Sequence, residues 1–219
     1  MTFDEKEHRY VKDGIEYLSV SRFLEKFKPP FNKELISGMV AKKQGKEPDD
    51  ILSMWNLNSE ISTNYGTSIH KGIELFVKHK TISKLPHIRE STEKFIEKFK
   101  GKKLRSEIVA FDDEHRIAGT IDLLELLGNK RVRIIDIKTN YEMDKEKRGN
   151  FLAPIDTIPN TKINGYRLQT SMYKYLVEKH GFIVEGLQLE HWDGKGYHTI
   201  ELEPINIEKL LLWQKKTHL

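Results

Sequence analysis

The 219-residue chain contains no cysteine. This absence excludes disulfide bonds, zinc sites built on thiolates and iron–sulfur clusters bound by cysteine. A chain without cysteine also suits a reducing compartment, so we expect the cytoplasm. Long apolar runs are missing too, since no stretch approaches the roughly 20 apolar residues of a membrane helix. The first residues, MTFDEKEH, are polar and acidic and predict no signal peptide.

Two enzyme signatures are also missing. No GxxxxGK(S/T) motif occurs, so the chain carries no P-loop ATPase or helicase segment, and no HExxH pair is present to bind a hydrolytic zinc. Lysine and arginine (37) outnumber aspartate and glutamate (33), which gives a formal charge of +4 and a pI near 9.0. This modest excess is compatible with nucleic acid as a partner, and equally with an ordinary lysine-rich protein.

Hydrophobic periodicity predicts one domain spanning residues 1–219. A hairpin with an Asp13-Gly14 turn, followed by short helices, forms an N-terminal extension over residues 1–58. The core, residues 59–203, begins with helices and continues as β-β-β-α-β-β, and residues 204–219 form a last helix. This order predicts an α/β (α+β) fold in which helices flank a mixed central sheet.

Three strands of the core each contain an acidic residue in an apolar run. Glu107 lies in LRSEIVAF, Asp122 in GTIDLLEL, and Asp136 in RIIDIKTN, two positions before Lys138 on the same strand face. If the strands form an antiparallel meander, Asp122 and Asp136 lie close together, where two buried carboxylates repel each other. A hard divalent cation such as Mg²⁺ or Mn²⁺ would relieve that repulsion.

Each of these features also has a purely structural interpretation. Asp-x-Lys is common by chance and often forms only an ion pair at a strand end. His70 and Glu74, one helical turn apart, could be a solvated pair on an amphipathic helix. Gln169 and Tyr173, also one turn apart, could simply close a helix–sheet contact. Three carboxylates and a lysine on one meander favour a metal site that hydrolyses phosphodiesters.

Taken in order, GTSIH, Glu107, GTIDLL, IIDIKT and QTSMYKY resemble the motifs of the PD-(D/E)XK nuclease superfamily. Within it, the order is similar to the RecB-type branch, which includes Cas4-like nucleases and the mitochondrial genome-maintenance exonuclease. The resemblance covers roughly residues 65–192. It implies a restriction-endonuclease-like core, and the lack of cysteine separates this chain from members that bind an iron–sulfur cluster.

The resemblance also implies roles for individual residues. His70, Asp122, Asp136 and the backbone carbonyl of Ile137 would bind the metal. Asp122, Asp136, Lys138 and Glu107 would be the catalytic set, although the role of Glu107 varies among relatives. Gln169 and Tyr173 would hold Lys138 and the DNA strand.

The predicted function is therefore a metal-dependent DNA exonuclease that acts on ends or single strands. The long segment over residues 140–164 could cover a single strand, with Tyr141 and Phe151 stacking on bases. The basic run KFKGKKLR, which contains Lys102 and Lys103, could follow phosphates, although a solvated linker is equally compatible. The alternatives are a sequence- or structure-specific endonuclease of the same superfamily and a nucleic-acid-binding module without turnover. The sequence gives no indication of oligomeric state.

Overall fold

The computed structural model describes residues 2–4, 9–140 and 149–217. Its elements follow the predicted order of hairpin, helices and β-β-β-α-β-β core. Their bounds are β1 (Thr2–Asp4), β2 (Arg9–Lys12), β3 (Ile15–Ser19), α1 (Val20–Glu25), α2 (Lys33–Gln44), α3 (Pro48–His79), α4 (Pro86–Lys98), β4 (Leu104–Asp112), β5 (Ile117–Gly128), β6 (Arg131–Lys138), α5 (Lys162–Lys179), β7 (Ile183–Trp192), β8 (Tyr197–Leu202) and α6 (Glu208–Thr217).

The strands form one mixed sheet in the order β1-β2-β3-β5-β6-β7-β8, with β4 paired to β5. The predicted meander is confirmed, because β4, β5 and β6 pair antiparallel. α5 then crosses over and returns the chain as β7, parallel to β6. β3 also pairs with β5 in parallel, which attaches the N-terminal hairpin to the core sheet. The mixed sheet flanked by helices is the α/β architecture that the sequence predicts.

Helices cover both faces of the sheet. On one face α1, α5 and α6 pack against the strands, with Phe23, Leu168 and Leu210 fully or almost fully buried. On the other face α3 and α4 contribute Ile69 and Phe95 to a second buried cluster. Burying apolar surface on both faces is what holds the three layers together. In the described part of the chain, no helix combines the length and apolar character needed to cross a membrane.

Helix boundaries follow local capping chemistry. Ser19, Asn32 and Thr161 each occupy an N-cap position and accept a backbone N–H of the first turn through their side chains. Gly45 ends α2 in the left-handed conformation, and Pro48 opens α3. α3 then continues without interruption for 32 residues and crosses residue 58, at which the predicted N-terminal extension ends.

The segment before α5 corrects one prediction. Phe151 is only 3% exposed and packs in the core with α1 and α5, so it cannot stack on a bound base as the sequence suggested. Its backbone N–H donates to Ile158, and the next N–H, of Leu152, donates to Phe27 at the end of α1. These contacts fix the second half of the long segment against the core.

Candidate active site

The candidate site lies between β3 and β6, which pair with different parts of the same edge of β5. On that edge β5 pairs with β3 as far as Ala118, and its pairing with β6 begins at Leu123. Residues 119–122 lie in the opening between the two partners. Asp122 is the last of them and immediately precedes the β5–β6 ladder.

The backbone is irregular where β4 and β5 meet at this point. Ile121 packs on the α5 side of the sheet and Leu123 on the α3 side, although residues two apart in a regular strand face the same way. Opposite Asp122, Glu107 has a φ of 52°, which is unusual for a residue with a side chain. Such irregularities re-aim side chains within a sheet, and here they direct Glu107 and Asp122 toward the opening.

Asp122 is held by two contacts. Its Oδ2 accepts the backbone N–H of Ile137 at 2.8 Å and lies 3.5 Å from Nδ1 of His70, which projects from α3. Burial raises the pKa of Asp122, but the neighbouring His70 and Lys138 charges and the Ile137 N–H outweigh it and lower that pKa. Asp122 therefore remains a carboxylate at neutral pH.

Glu107 completes a group of potential ligands. One ligand atom from each of His70, Glu107 and Asp122 can be chosen so that all lie within 4.8 Å of one another. Burial, followed by repulsion from Asp122, raises the pKa of Glu107 to about 7. The raised pKa therefore reflects burial of the Glu107 carboxyl first, and the nearby Asp122 charge second.

Asp136 and Lys138 project together on the α5 side, as alternation along β6 predicts. Lys138 Nζ lies 2.7 Å from Asp136 Oδ2 and 4.9 Å from the centre of the Tyr166 ring. Burial raises the pKa of Asp136 to about 6, against the opposing effect of Lys138. Burial lowers the pKa of Lys138, but the Asp136 and Asp122 charges outweigh it, so Lys138 keeps its proton. The ion pair that the simplest sequence interpretation predicts is thus present.

α5 places its polar residues beside this pair. Gln169 Nε2 donates to the Tyr173 hydroxyl at 2.9 Å, which joins the two residues that the sequence singled out. Tyr173 is buried, and its ring lies so close to Gly119 that a Cβ there would come within 2.6 Å of Cε1. Burial raises the pKa of Tyr173 well above its usual value, and the Asp136 and Asp122 charges add to this effect. The glycine of GTIDLL therefore allows α5 to approach the opening.

A cavity of about 750 Å³ gives access to the site, between α3 and the start of α5. His70, Ile137 and Lys138 line it, together with residues that the sequence analysis did not select: Tyr65, Thr139, Asn140 and Lys162. Tyr166 was also missed, although its hydroxyl donates to Asn140 Oδ1 at 3.1 Å. The Tyr166 position, one turn before Gln169 on the same helix, was the available signal.

The remaining predicted substrate residues lie elsewhere or are undescribed. Lys102 Nζ lies 2.6 Å from the buried carboxylate of Glu125, and Arg133 binds the other oxygen of that carboxylate. Lys103 is exposed in the linker between α4 and β4. Tyr141 falls outside the described residues. The structure therefore does not bring Lys102 and Lys103 together with His70, Asp122 and Lys138, and their contact with phosphates stays a prediction.

A second group of acids and histidine occurs at the β4–β5 turn. Asp112, Glu114 and His115 are close enough to share an ion. However, Asp112 Oδ2 already accepts the Tyr175 hydroxyl at 2.7 Å and lies 2.5 Å from His115 Nδ1. Lys179 and Lys215 lie within ion-pair distance of Glu114. This group is a network of internal ion pairs that attaches α5 and α6 to the turn.

The first group fits a divalent cation better. Asp136 Oδ2 is buried and has no hydrogen-bond partner of suitable geometry among the described residues, even though Lys138 is close. Glu107 also carries a raised pKa that a cation would reverse. One imidazole and three carboxylates are donors that Mg²⁺ and Mn²⁺ accept. The site could therefore hold a metal through His70, Glu107 and Asp122, with Asp136 close by in its ion pair with Lys138.

Comparison with known proteins shows the family of the chain. The family model of the PD-(D/E)XK nuclease superfamily matches residues 87–204, which is more than half of the chain. This match includes all three acidic strands, Lys138 and the Gln169–Tyr173 pair. The chain therefore belongs to the PD-(D/E)XK nuclease superfamily.

Individual relatives are distant. No curated protein matches the chain significantly. Among solved structures, the protein SSO0001 is 14% identical, with a TM-score of 0.45 over 98% of this chain and 80% of that one. A protein from Eubacterium rectale described as a "Putative exonuclease" is 12% identical, with a TM-score of 0.40 over 92% of this chain and 78% of that one. At these TM-scores the two similarities add no argument about the site.

Proposed function

We propose that the protein is a metal-dependent DNA exonuclease that cleaves phosphodiester bonds at ends or in single strands. The observation that supports it best is the grouping of His70, Glu107 and Asp122 at one point, next to a cavity that His70 and Lys138 line. Asp136 is joined to this group through its ion pair with Lys138. Membership of a nuclease superfamily supports hydrolysis of nucleic acid. The proposal goes beyond family membership in three respects: cleavage from ends, DNA as the substrate, and Mg²⁺ or Mn²⁺ as the ion.

The residues of the site would have two different roles. His70, Glu107, Asp122 and Asp136, with the Ile137 carbonyl, would hold Mg²⁺ or Mn²⁺. When bound, such an ion polarises the phosphodiester and lowers the pKa of a bound water. Lys138 keeps its proton beside these acids, so its ammonium group can orient the water and offset the charge that develops on the phosphate.

The size of the cavity supports action on single strands. At about 750 Å³ it falls within the range of about 300–1,000 Å³ that is usual for small-ligand pockets. A pocket of this size admits a segment of a few nucleotides beside Lys138, whose side chain is 19% exposed. We propose on this basis that the reacting strand is unpaired at the site, as it is at a frayed end or in a single strand.

The proposal is tested with a panel of substrates. End-labelled single-stranded DNA, duplex DNA, single-stranded RNA and covalently closed circular duplex are incubated with Mg²⁺, Mn²⁺ or EDTA. We expect linear DNA to be degraded from its ends with either metal, and the closed circle to survive. Cleavage of the circle would support the endonuclease alternative, and binding without cleavage would support the binding module.

Variants connect the activity to this site. Lys138→Ala and Asp122→Asn should each lower the rate at least about a hundred-fold, the usual effect of removing one group that stabilises a transition state. Lys195→Ala, in the exposed turn between β7 and β8, is the matched control and should cleave at the wild-type rate. Undiminished cleavage by Lys138→Ala would exclude this site as the catalytic one.

A further inference from the structure

A second cavity, of about 740 Å³, lies on the other side of the first turns of α5. One wall is the linker between α1 and α2, which contributes Lys28, two consecutive prolines and Phe31. The opposite wall is the N-terminus of α5 with the residues before it, from Asn160 to Tyr166. Nothing in the proposed catalytic chemistry uses this cavity.

The second cavity is next to the active-site cavity. Lys162, at the start of α5, lines both of them. Tyr166 lines the second cavity, while its ring lies under the Lys138 ammonium group. Gln169 lines it as well and bonds to Tyr173 beside the acids. A chain-like ligand bound at Lys138 could therefore continue around the start of α5 into the second cavity.

The lining chemistry suits a nucleic-acid strand. Lys162 provides a positive charge, while Glu25, the single acid in the lining, forms an ion pair with Lys28 at 2.6 Å and is neutralised by it. The N-terminus of the 18-residue helix α5 adds a partial positive charge, which favours phosphate, while Thr161 already accepts the N–H of Asn164. Phe31 lines the cavity at its rim and is 49% exposed, with its ring centre 6.4 Å from that of Trp55. Positive charge combined with an aromatic ring on which a base can stack is the combination that single-strand binding sites use.

We propose that this cavity is a nucleotide-binding subsite for the strand that runs through the active site, with its phosphates near Lys162 and the start of α5 and a base stacked on Phe31. The inference rests on the proposed function, because it assumes that a nucleic-acid strand occupies the neighbouring cavity. It narrows the substrate class to strands that extend unpaired for several nucleotides beyond the scissile bond. Shorter substrates leave the subsite empty.

The test measures affinity against strand length. Single-stranded DNA of about 4 to about 16 nucleotides, the range of single-strand site sizes, is titrated into the Lys138→Ala protein by fluorescence anisotropy. We expect affinity to rise with length, and Phe31→Ala in the same background to lose about five- to a hundred-fold on the long strand, the effect of one lost stacking contact. Lys162→Ala should reduce the slope of log affinity on log salt by about 0.7.

Matched controls separate the subsite from general effects. Phe182, 39% exposed beyond the opposite end of α5, and Lys195 are truncated in the same background and should bind as the parent protein does. If Phe31→Ala and Lys162→Ala bind like these controls, the subsite is excluded even when the wild type cleaves DNA. If length-dependent binding is lost in both variants but the wild type cleaves no substrate, the subsite stands and the proposed nuclease function fails.

Discussion

The arrangement of the acidic residues at the site lowers the stability of the folded protein. Asp136 has a pKa raised to about 6 by burial, and Glu107 a pKa raised to about 7 by burial and by Asp122. Raised carboxyl pKa values mean that folding disfavours the charged forms. Glu107 also holds a left-handed backbone conformation, which adds strain. Costs of this kind, concentrated at one cavity, are typical of a functional site.

In the metal-free protein, the loss of stability caused by Glu107 can be tested through the pH dependence of the free energy of unfolding. Because its folded pKa is raised, Glu107 contributes stability at low pH that is lost as the pH rises from its unfolded pKa toward 7. In EDTA, Glu107→Gln should therefore gain stability relative to wild type between pH 5 and pH 8, by about 1–3 kcal/mol after allowance for partial exposure. Urea unfolding at several pH values measures the difference. Glu201→Gln, at an exposed position on β8, should run parallel to wild type, and a parallel curve for Glu107→Gln would contradict the prediction.

Tyr166 positions Lys138 through its ring. The Lys138 ammonium group lies 4.9 Å from the ring centre, within the range of a cation–π contact. Tyr166→Leu should lower kcat about 2- to 30-fold, in line with the loss of such a contact, because Lys138 is then held only by Asp136. Tyr166→Phe keeps the ring and should restore most of the rate. Equal losses in both variants would show that the hydroxyl, through Asn140, is the important group.

At the scale of elements, the contact between β5 and α5 depends on the glycine of the GTIDLL motif. A Cβ at Gly119 would lie 2.6 Å from Tyr173 Cε1 and 3.1 Å from Val20, so α5 or α1 would have to move. Gly119→Ala should therefore lower stability by about 1–3 kcal/mol, the usual cost of overpacking, and reduce cleavage by displacing Tyr173. Thermal unfolding and the cleavage rate measure the two effects. Gly38→Ala, in the interior of α2 with nothing within 4 Å, should instead gain about 0.5–1 kcal/mol.

The elements were largely predictable because local patterns specify them. The Asp13-Gly14 turn, the Ser19 and Asn32 caps and the alternation along β6 all act within a few residues. Errors occurred where distant contacts decide. The start of α5 is a local exception: the sequence pattern predicts a helix from Tyr166, but it begins at Lys162 because the Thr161 cap compensates for the poor helix formers Asn164 and Gly165. Phe151 looked available to a ligand, but its burial depends on α1, more than a hundred residues away.

At the site too, features that depend on local sequence were predictable, and features that depend on distant contacts were not. The acids of the site stand out in sequence because a charge in an apolar strand is unusual on its own. Lys162 and the cavity beside α1 do not stand out, because only the packing of α5 against the sheet gives them their neighbours. Tyr166 is indicated only by its position one turn before Gln169. Likewise, the pairing of Lys102 with Glu125 joins a linker to the middle of a strand, and no local pattern indicates it.

At the scale of the whole molecule, the site connects the layers of the fold. His70 comes from α3 on one face of the sheet, the acids come from three strands, and Tyr166 and Gln169 come from α5 on the other face. Because β3 and β6 diverge along β5, the polar groups of both faces can meet in the opening between them. A ligand bound there contacts elements that are far apart in sequence.

Metal binding should therefore stabilise the whole fold. An ion that binds only the folded state adds about 2.7 kcal/mol when present at a hundred times its Kd. For a chain of this length that corresponds to a rise in Tm of about 5–10 °C, which differential scanning fluorimetry with Mg²⁺ or Mn²⁺ against EDTA measures. Asp122→Asn can still accept the Ile137 N–H but loses the ligand charge, so its Tm should not respond to metal. Asp156→Asn, at an exposed position, should respond as wild type does. An equal metal-induced shift in Asp122→Asn and wild type would mean that the ion binds elsewhere, and it would remove the physical reason for gathering these acids at the opening in the sheet.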